Sequence, residues 1–166
     1  MINKIKIIYG GSNPIQEFNY EIIITNSDSD IYRKTGKYKG NFKKTESKKN
    51  IPNGEGTWNS IDGDYAKGTW INGEFTTGQV KYKYKNGDIF EGLLKESMYD
   101  SYGEYTYADG DYAKGTWIKG EFTTGEVKYK YSTGNIYEGR LVNGKYNGDG
   151  KYTLANGDFE KAKGSS

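Results

Sequence analysis

The sequence predicts an all-β protein, built as an elongated, twisted, single-layer antiparallel sheet of tandem β-hairpins. Three observations lead to this prediction. A long block of sequence occurs twice, short segments alternate polar and aromatic residues, and turn dipeptides recur at regular spacing. No segment of useful length shows the apolar period of a helix.

The long repeat is the strongest of these observations. Residues 64–92 and 111–139 are identical at 23 of 29 positions, at an offset of 47 residues. Each 47-residue block divides further into two related halves of about 23 residues. Self-similarity at a fixed period of this length indicates a repeat architecture, in which every unit buries its apolar face against its neighbours.

The first half of each unit places a glycine between two residues that share one face of a strand. This frame recurs as Tyr38-x-Gly40-x-Phe42, Ala66-x-Gly68-x-Trp70, Phe90-x-Gly92-x-Leu94, Ala113-x-Gly115-x-Trp117 and Tyr137-x-Gly139-x-Leu141. A glycine inside a strand leaves a slot that an aromatic ring from a neighbouring strand can cover. We therefore expect a core of rings laid over glycines instead of a thick two-layer interior.

The second half of each unit supplies the returning strand and a turn. Its frame ends on an aromatic residue, at Trp58, Tyr82, Tyr105, Tyr129 and Tyr152. Lys-Tyr-Lys-Tyr at 81–84 and at 128–131 alternates with period two, which is typical of a strand with one apolar face. The pairs Asn86-Gly87 and Asp109-Gly110 then supply the positive φ that two-residue hairpin turns need.

Residues 137–158, YEGRLVNGKYNGDGKYTLANGD, resemble an almost complete MORN repeat (membrane occupation and recognition nexus). The pattern of that family is Y-x-G-x-W-x-x-G followed by G-x-G-x-Y-x-x-x-x-G-D. The resemblance covers residues 38–158 as five repeats, with an insertion around residues 43–52 in the first. The sequence departs from the pattern at Ala66, Ala113, Leu94, Leu141, Val80 and Val127.

Outside these repeats the chain is less regular. We interpret residues 1–37 as a degenerate repeat at 18–37 preceded by a capping strand at 2–9, and residues 159–166 as a short C-terminal tail. Atypical ends are expected of repeat arrays, because the terminal units must close the apolar face. A free edge strand at either end predicts a homodimer through edge pairing.

Composition narrows the classes of function. The chain has no cysteine and no histidine, which excludes disulfides, thiolate nucleophiles and imidazole ligands. Many of the aspartates lie at turns, where aspartate hydrogen-bonds its own backbone. We therefore predict no catalytic residue, no metal site and no cofactor, and we expect the protein not to be an enzyme.

The resemblance implies a binding function for the aromatic face. MORN proteins hold partner peptides on this face, and the anchors predicted here are Trp58, Trp70, Trp117, Phe42, Tyr82, Tyr105, Tyr129 and Tyr152. Tryptophan and tyrosine dominate binding hot spots. The structural alternative is that these rings form the fold and nothing more. A further alternative is a carbohydrate-binding repeat module, because glycine- and aromatic-rich repeats also bind sugars or choline in cell-wall proteins.

A basic segment carries the second functional hypothesis. Residues 33–49 have a net charge of +7, and the predicted lipid contacts are Arg33, Lys34, Lys43, Lys44, Lys48 and Lys49. Such a cluster is typical of contact with anionic phospholipid, and a solvated loop is the structural alternative. The remainder of the chain is net acidic, which argues against nucleic acid. We predict a cytoplasmic protein, peripheral to a membrane in the lipid hypothesis, with a protein or peptide as its main partner.

Overall fold

The computed structural model describes residues 15–25 and 31–163. These residues form a single antiparallel sheet of twelve strands, in which the strand order follows the chain. The strands are β1 (Ile15–Thr25), β2 (Ile31–Lys44), β3 (Asn50–Ser60), β4 (Tyr65–Ile71), β5 (Glu74–Lys83), β6 (Ile89–Lys95), β7 (Met98–Thr106), β8 (Tyr112–Ile118), β9 (Glu121–Lys130), β10 (Ile136–Val142), β11 (Lys145–Thr153) and β12 (Phe159–Lys163). The prediction of an all-β sheet of tandem hairpins is confirmed. The capping strand predicted at residues 2–9 lies outside the described residues.

The domain boundaries predicted from the sequence can be compared with the strands at two places. β2 runs through the boundary predicted between residues 37 and 38, and β12 occupies residues 159–163 of the predicted tail. β2 has 14 residues and continues into the segment where the sequence carries its insertion. The division into five repeats with distinct ends stays a proposal.

The pleat gives the sheet one apolar face and one charged face. Tyr38 and Trp58 are cross-strand partners on the inner face, and both are fully buried. On the outer face Lys81 and Glu91 are partners, with their charged atoms 3.0 Å apart. Exposed pairs of this kind contribute about 0–1 kcal/mol each. The inner face therefore carries the core and the apolar surface available for binding.

Aromatic rings cover the strand glycines in the frames that begin with tyrosine or phenylalanine, as the sequence predicts. In the frames that begin with alanine the prediction is wrong, because Gly68 and Gly115 meet the backbone of the next strand instead of a ring. A Cβ atom built at Gly36 would lie 2.5 Å from the indole of Trp58 on the adjacent strand. One built at Gly56 would lie 2.1 Å from the hydroxyl oxygen of Tyr38. Packed atoms do not approach so closely, so a side chain at either glycine would displace a ring. The core is therefore a ladder of rings laid across one sheet.

The tight turns lie elsewhere than predicted. Positive φ at two consecutive residues occurs at the turns that close the hairpins β4–β5, β6–β7, β8–β9 and β10–β11, namely Asn72-Gly73, Glu96-Ser97, Lys119-Gly120 and Asn143-Gly144. At Asn86-Gly87 only the glycine has positive φ, and the N–H of Tyr84 donates to the carbonyl of Asp88 around a three-residue loop. The same holds at Asp109-Gly110, where the N–H of Tyr107 donates to the carbonyl of Asp111. The two-residue turns predicted at both places are wrong, because Asn-Gly and Asp-Gly also suit a type I turn followed by a left-handed glycine.

Hydrogen bonds at both edges of the sheet join successive hairpins. On one edge, four side chains at equivalent turn positions each accept a backbone N–H from near the next turn, at 2.6–3.0 Å: Asp64, Asp88, Asp111 and Asn135. On the other edge, four tight-turn N–H groups each donate to a carbonyl of the preceding hairpin, at 2.8 Å: Gly73, Ser97, Gly120 and Gly144. The sequence predicts the aspartates as turn formers, and the structure adds this bond between units.

Candidate binding site

The sheet curves far enough for β1 to reach the turn between β4 and β5. The hydroxyl of Tyr20 donates to the carbonyl oxygen of Gly73 at 3.0 Å. The indole N–H of Trp58 donates to the carbonyl oxygen of Tyr20 at 2.9 Å. Two strands, β2 and β3, separate β1 from β4 in the sheet. These contacts therefore require the inner face to be concave.

A groove of about 800 Å³ lies on this concave face, where β1 stands opposite the hairpins β4–β5 and β6–β7. We call it the β1 groove. The segment Tyr20–Ile24 lines it on the β1 side, and the other hairpins contribute Trp70, Phe75, Tyr82, Tyr84, Leu94 and Tyr99. Its volume lies within the range of about 300–1,000 Å³ that is typical of ligand sites.

Ring contacts hold the floor of the groove in place. Trp70 meets Tyr20, Tyr38 and Phe75 edge-on, with centroid distances of 6.4, 5.2 and 5.1 Å. Its indole N–H donates to the carbonyl oxygen of Gly56 at 3.2 Å. Because these contacts already fix the ring, little of its side-chain entropy remains to be lost when a ligand binds.

The repeat builds the same ring arrangement a second time, 47 residues later. Trp117 meets Tyr99 and Phe122 edge-on, each at 5.2 Å, and its indole N–H donates to the carbonyl oxygen of Gly103 at 3.1 Å. The β1 groove belongs to the first copy, where the wall formed by residues 20–24 stands opposite the rings. The rings around Trp70 therefore face the β1 wall, whereas the equivalent rings around Trp117 lie outside the β1 groove.

Two carboxylates flank the groove. Glu21 on β1 pairs with Arg33, with 3.1 Å between the charged atoms. Glu74 follows the β4–β5 turn, is exposed, and forms no ion pair with any residue that the structure describes. Burial, with a smaller contribution from Glu74, raises the pKa of Tyr20. The mouth of the groove therefore has one carboxylate, that of Glu74, without an ion partner among the described residues.

Tyrosine hydroxyls supply further polar groups inside the groove. The hydroxyls of Tyr84 and Tyr99 are hydrogen-bonded to each other. Burial is the main cause that raises the pKa of Tyr82, Tyr84 and Tyr99 above the ordinary value of 10.0. Phenols shifted in this direction stay protonated at neutral pH. The arrangement suits the binding of apolar groups and gives no paired acid and base for catalysis.

The structure buries most of the predicted anchors. Trp70 is 1% exposed and Trp117 is 6% exposed. The buried anchors are Trp58, Trp70, Trp117, Phe42, Tyr82 and Tyr105, whereas Tyr129 and Tyr152 are half-buried. Trp70 and Tyr82 line the β1 groove, and the other six are not among the residues that line it. Their place in the ring ladder is clear, and a partner-binding role for each stays a prediction.

The groove also contains aromatic residues that were not predicted as anchors, namely Tyr20, Phe75, Tyr84 and Tyr99. A signal for one of them is present in the sequence. Phe75 and Phe122 stand two residues after the tight-turn glycines Gly73 and Gly120, in the same place in both copies. Tyr20 has no equivalent, because it lies in the irregular N-terminal strand.

The structure divides the basic segment into two parts. Arg33 is paired with Glu21, and Lys34 is 7% exposed with its ammonium group bound to the carboxylate of Asp64. Lys43, Lys44, Lys48 and Lys49 are exposed around the tip of the β2–β3 hairpin, and the ammonium group of Lys43 donates to the side-chain oxygen of Asn72. Lys34 therefore joins β2 to the turn between β3 and β4, and its buried ammonium group is not placed to contact a membrane. The lipid-contact role of the six residues stays a proposal, and the tip lysines are the ones placed for it.

Among the residues that the structure describes, no three His, Cys, Asp or Glu side chains are grouped to hold a metal ion. The same part of the chain contains no helix with the length and apolar character of a membrane span.

Comparison with known proteins places two hairpins in a family. The model of the MORN repeat matches residues 90–112 and 137–159, and no curated protein matches the chain. The matched segments contain β6–β7 and β10–β11, whereas the alternate hairpins β4–β5 and β8–β9 carry Ala66 and Ala113 where the repeat has tyrosine. Matched and unmatched hairpins nonetheless share one sheet and the same hydrogen bonds between units. The chain therefore contains MORN repeats at residues 90–112 and 137–159, set in a sheet that the other hairpins continue.

Proposed function

We propose that this protein is a non-enzymatic scaffold that holds a peptide segment of a protein partner in the β1 groove. The observation that carries the proposal is the groove itself, a concave space of about 800 Å³ lined by rings that are already fixed. MORN repeats are in general interaction modules. Aromatic side chains in a desolvated pocket supply much of the energy of such interfaces. A cytoplasmic location belongs to the same proposal.

The groove favours a peptide that combines apolar side chains with a lysine or arginine. Apolar side chains would contact Ile22, Phe75 and Leu94 inside the groove. A cation would meet the carboxylate of Glu74, which has no ion partner among the described residues. Complementary charge of this kind adds specificity and speeds association. A glutamate at the same point of the peptide would face a like charge and bind more weakly.

A fluorescence-polarisation titration tests this proposal. The probe is a short fluorescein-labelled peptide of alternating isoleucine and arginine, compared with peptides that carry glutamine or glutamate in place of arginine. We expect the arginine peptide to bind most tightly and the glutamate peptide least. Failure of all three peptides to bind would contradict the proposal, and equal binding of all three would contradict the role of Glu74.

Met98 is a suitable position for a variant that blocks the groove. It lines the groove and is exposed, and the equivalent position in the next copy is Lys145, so the hairpin accommodates lysine there. Met98→Lys should weaken the arginine peptide by placing a cation at the mouth. Ile118→Lys, at an exposed site outside the groove lining, is the matched control and should leave binding unchanged. Trp70→Ala is less suitable, because loss of a buried Trp costs about 3–5 kcal/mol of folding free energy.

The tip of the β2–β3 hairpin supports a second candidate function, peripheral association with anionic phospholipid. We propose that Lys43, Lys44, Lys48 and Lys49 make this contact. The turn that gathers them is held by hydrogen bonds from Thr45 N–H to the carbonyl of Lys49 and from Lys48 N–H to the carbonyl of Thr45, both 2.9 Å. Each lysine near an anionic surface contributes about 1 kcal/mol.

Vesicle sedimentation distinguishes this second function from non-specific attraction. The vesicles contain phosphatidylcholine with or without phosphatidylserine, and the salt concentration is varied. Replacing the four tip lysines with glutamine should abolish binding to the anionic vesicles. The matched control removes the same charge from four exposed lysines spread over the sheet, Lys95, Lys119, Lys145 and Lys161. Equal loss in both variants, or binding that ignores salt, would reject a lipid site at the tip.

A further inference from the structure

Two tyrosine pairs occupy equivalent places in the two long copies of the repeat. Tyr84 and Tyr99 form the first pair, and Tyr131 and Tyr146, each 47 residues further on, form the second. Both pairs share a hydrogen bond between their hydroxyls, which measures 2.8 Å in the second pair. The surroundings differ, because Tyr84 is buried in the β1 groove whereas Tyr131 is 37% exposed and Tyr146 is 45% exposed. The second pair is therefore the more exposed of the two.

A hydrogen-bonded pair of phenols is a favourable place for one-electron oxidation. As the electron leaves, the donor hydroxyl can pass its proton to its partner while the partner releases its own proton to water, so no charged phenol radical forms. The hydrogen bond to Tyr146 is the main cause that raises the pKa of Tyr131 to about 12, so this phenol is protonated at neutral pH. Each ring also carries an ortho carbon next to its hydroxyl, and the hydroxyl contact brings these two edges together.

We propose that Tyr131 and Tyr146 form a site of oxidative modification, at which a one-electron oxidant joins the two rings as a dityrosine. Each phenol gives one electron to the oxidant and one proton to water, which leaves two tyrosyl radicals. The radicals combine in one bond between ortho carbons, and the hydrogen on each of those carbons moves to the phenol oxygen. The net change is the loss of two protons and two electrons, with both hydroxyls restored.

The new bond would link the β10–β11 hairpin covalently to the end of β9 in the preceding hairpin. Tyr131 follows β9, Tyr146 lies in β11, and β10 runs between these strands in the sheet. A covalent link across β10 restricts the unfolded chain, as other cross-links do. The cross-linked monomer should therefore unfold at a higher urea concentration than the untreated protein.

Neighbouring tyrosines define the competing products. The ring of Tyr152 lies 5.9 Å from that of Tyr131, and the ring of Tyr137 lies 4.4 Å from that of Tyr146. Tyr137 is buried, and the hydroxyl of Tyr152 accepts a hydrogen bond from the amide of Asn135. In the part of the chain that the structure describes, the hydroxyls of Tyr137 and Tyr152 form no hydrogen bond with another tyrosine hydroxyl. Coupling at 131–146 is therefore expected to dominate.

The test exposes the full chain, at low concentration, to a peroxidase with limiting hydrogen peroxide. Dityrosine fluorescence of the monomer fraction, its intact mass and a peptide map are measured, and thermal melts confirm that each variant is folded. We expect a monomer lighter by two hydrogens, with a 131–146 link in the map. Tyr131→Phe and Tyr146→Phe should each abolish this product. Tyr84→Phe, in the buried pair, and Tyr102→Phe, at an exposed lone tyrosine, should retain it.

Two results would overturn the proposal. One is dityrosine confined to covalent dimers, which would show that coupling follows chance encounters between exposed tyrosines. The other is an internal link that persists in both Tyr131→Phe and Tyr146→Phe, because the product would then arise from another pair.

Discussion

Replacing Asp88 tests whether the turn side chains hold the array together. Asp88 is 7% exposed, and its carboxylate accepts hydrogen bonds from the N–H of Ala108 at 2.9 Å, the hydroxyl of Tyr105 at 2.7 Å and the amide of Asn86 at 2.8 Å. Asp88→Ala removes the acceptor from all three donors. The bond from Tyr105 is buried and the other two are partly buried, and each buried donor left without an acceptor costs about 1–3 kcal/mol. We expect the free energy of unfolding to fall by about 2–4 kcal/mol.

The second copy of the repeat supplies the matched control. Asn135 stands at the position equivalent to Asp88. Its side-chain oxygen accepts the N–H of Ala155 at 3.0 Å, and its amide donates to the hydroxyl of Tyr152 at 2.9 Å. Asp88→Asn can form the same two bonds once the Tyr105 hydroxyl rotates to accept. This variant should therefore lose less than about 1 kcal/mol.

Urea unfolding followed by tryptophan fluorescence measures both Asp88 variants. Repeat arrays can unfold unit by unit, so circular dichroism must give the same transition before a free energy is extracted. If Asp88→Asn destabilises the protein as much as Asp88→Ala, charge and not hydrogen-bond geometry holds the turn, and the reasoning fails. An unchanged midpoint for Asp88→Ala would refute the bond between units as a source of stability.

Gly56→Ala should destabilise the protein by about 1–3 kcal/mol, because its Cβ would fall 2.1 Å from the hydroxyl oxygen of Tyr38, and an unchanged thermal midpoint would contradict this. Asp64→Ala should cost about 3–5 kcal/mol, since it removes the buried carboxylate that binds the ammonium of Lys34 and leaves only the exposed carboxylate of Asp62, 4.0 Å away. Denaturation of the double variant with Lys34→Met should show part of that loss recovered, and no recovery would argue against the pair. Burial is the main cause that raises the pKa of Tyr38 to about 12 from an ordinary value of 10.0. The folded state then holds this proton more tightly than the unfolded chain, so the contribution is complete below pH 10.0 and is lost as pH rises toward 12. Thermal midpoints that stay level across this window would disprove the shift. The outer edge of β12 pairs with no strand among the described residues, so we expect a homodimer by light scattering and a monomer for Glu160→Pro.

The ring ladder could be predicted from the sequence because its information is local. A glycine two residues from a large residue on the same strand face specifies both the slot and one of its neighbours, as at Tyr38-x-Gly40. The pairing of successive hairpins follows from short connections, which leave few other arrangements. The prediction of a two-residue turn at Asn86-Gly87 was wrong because it also used local sequence alone. The dipeptide suits two turn types, and the backbone hydrogen bonds of Tyr84 select one of them.

The groove and the buried lysine could not be predicted in this way. The contact between Tyr20 and Gly73 joins residues 53 apart in the chain, and it depends on curvature accumulated across several strands. Lys34 meets Asp64, 30 residues away, and nothing in a run of basic residues shows which one will be buried. Both features depend on angles between strands, which composition and spacing leave undetermined.

Curvature also connects the turn bonds to the groove. The wall at Tyr20 and the wall at Leu94 are separated by four intervening strands, so a small change in each angle between strands adds up to a large change in the width of the groove. Bonds on both edges, such as Gly73 N–H to the carbonyl of Pro52 and Ala108 N–H to Asp88, resist that change. Asp88→Ala should therefore weaken the arginine peptide as well as the fold, although Asp88 does not line the groove. Asp88→Asn should preserve binding, because it keeps the bond that sets the angle.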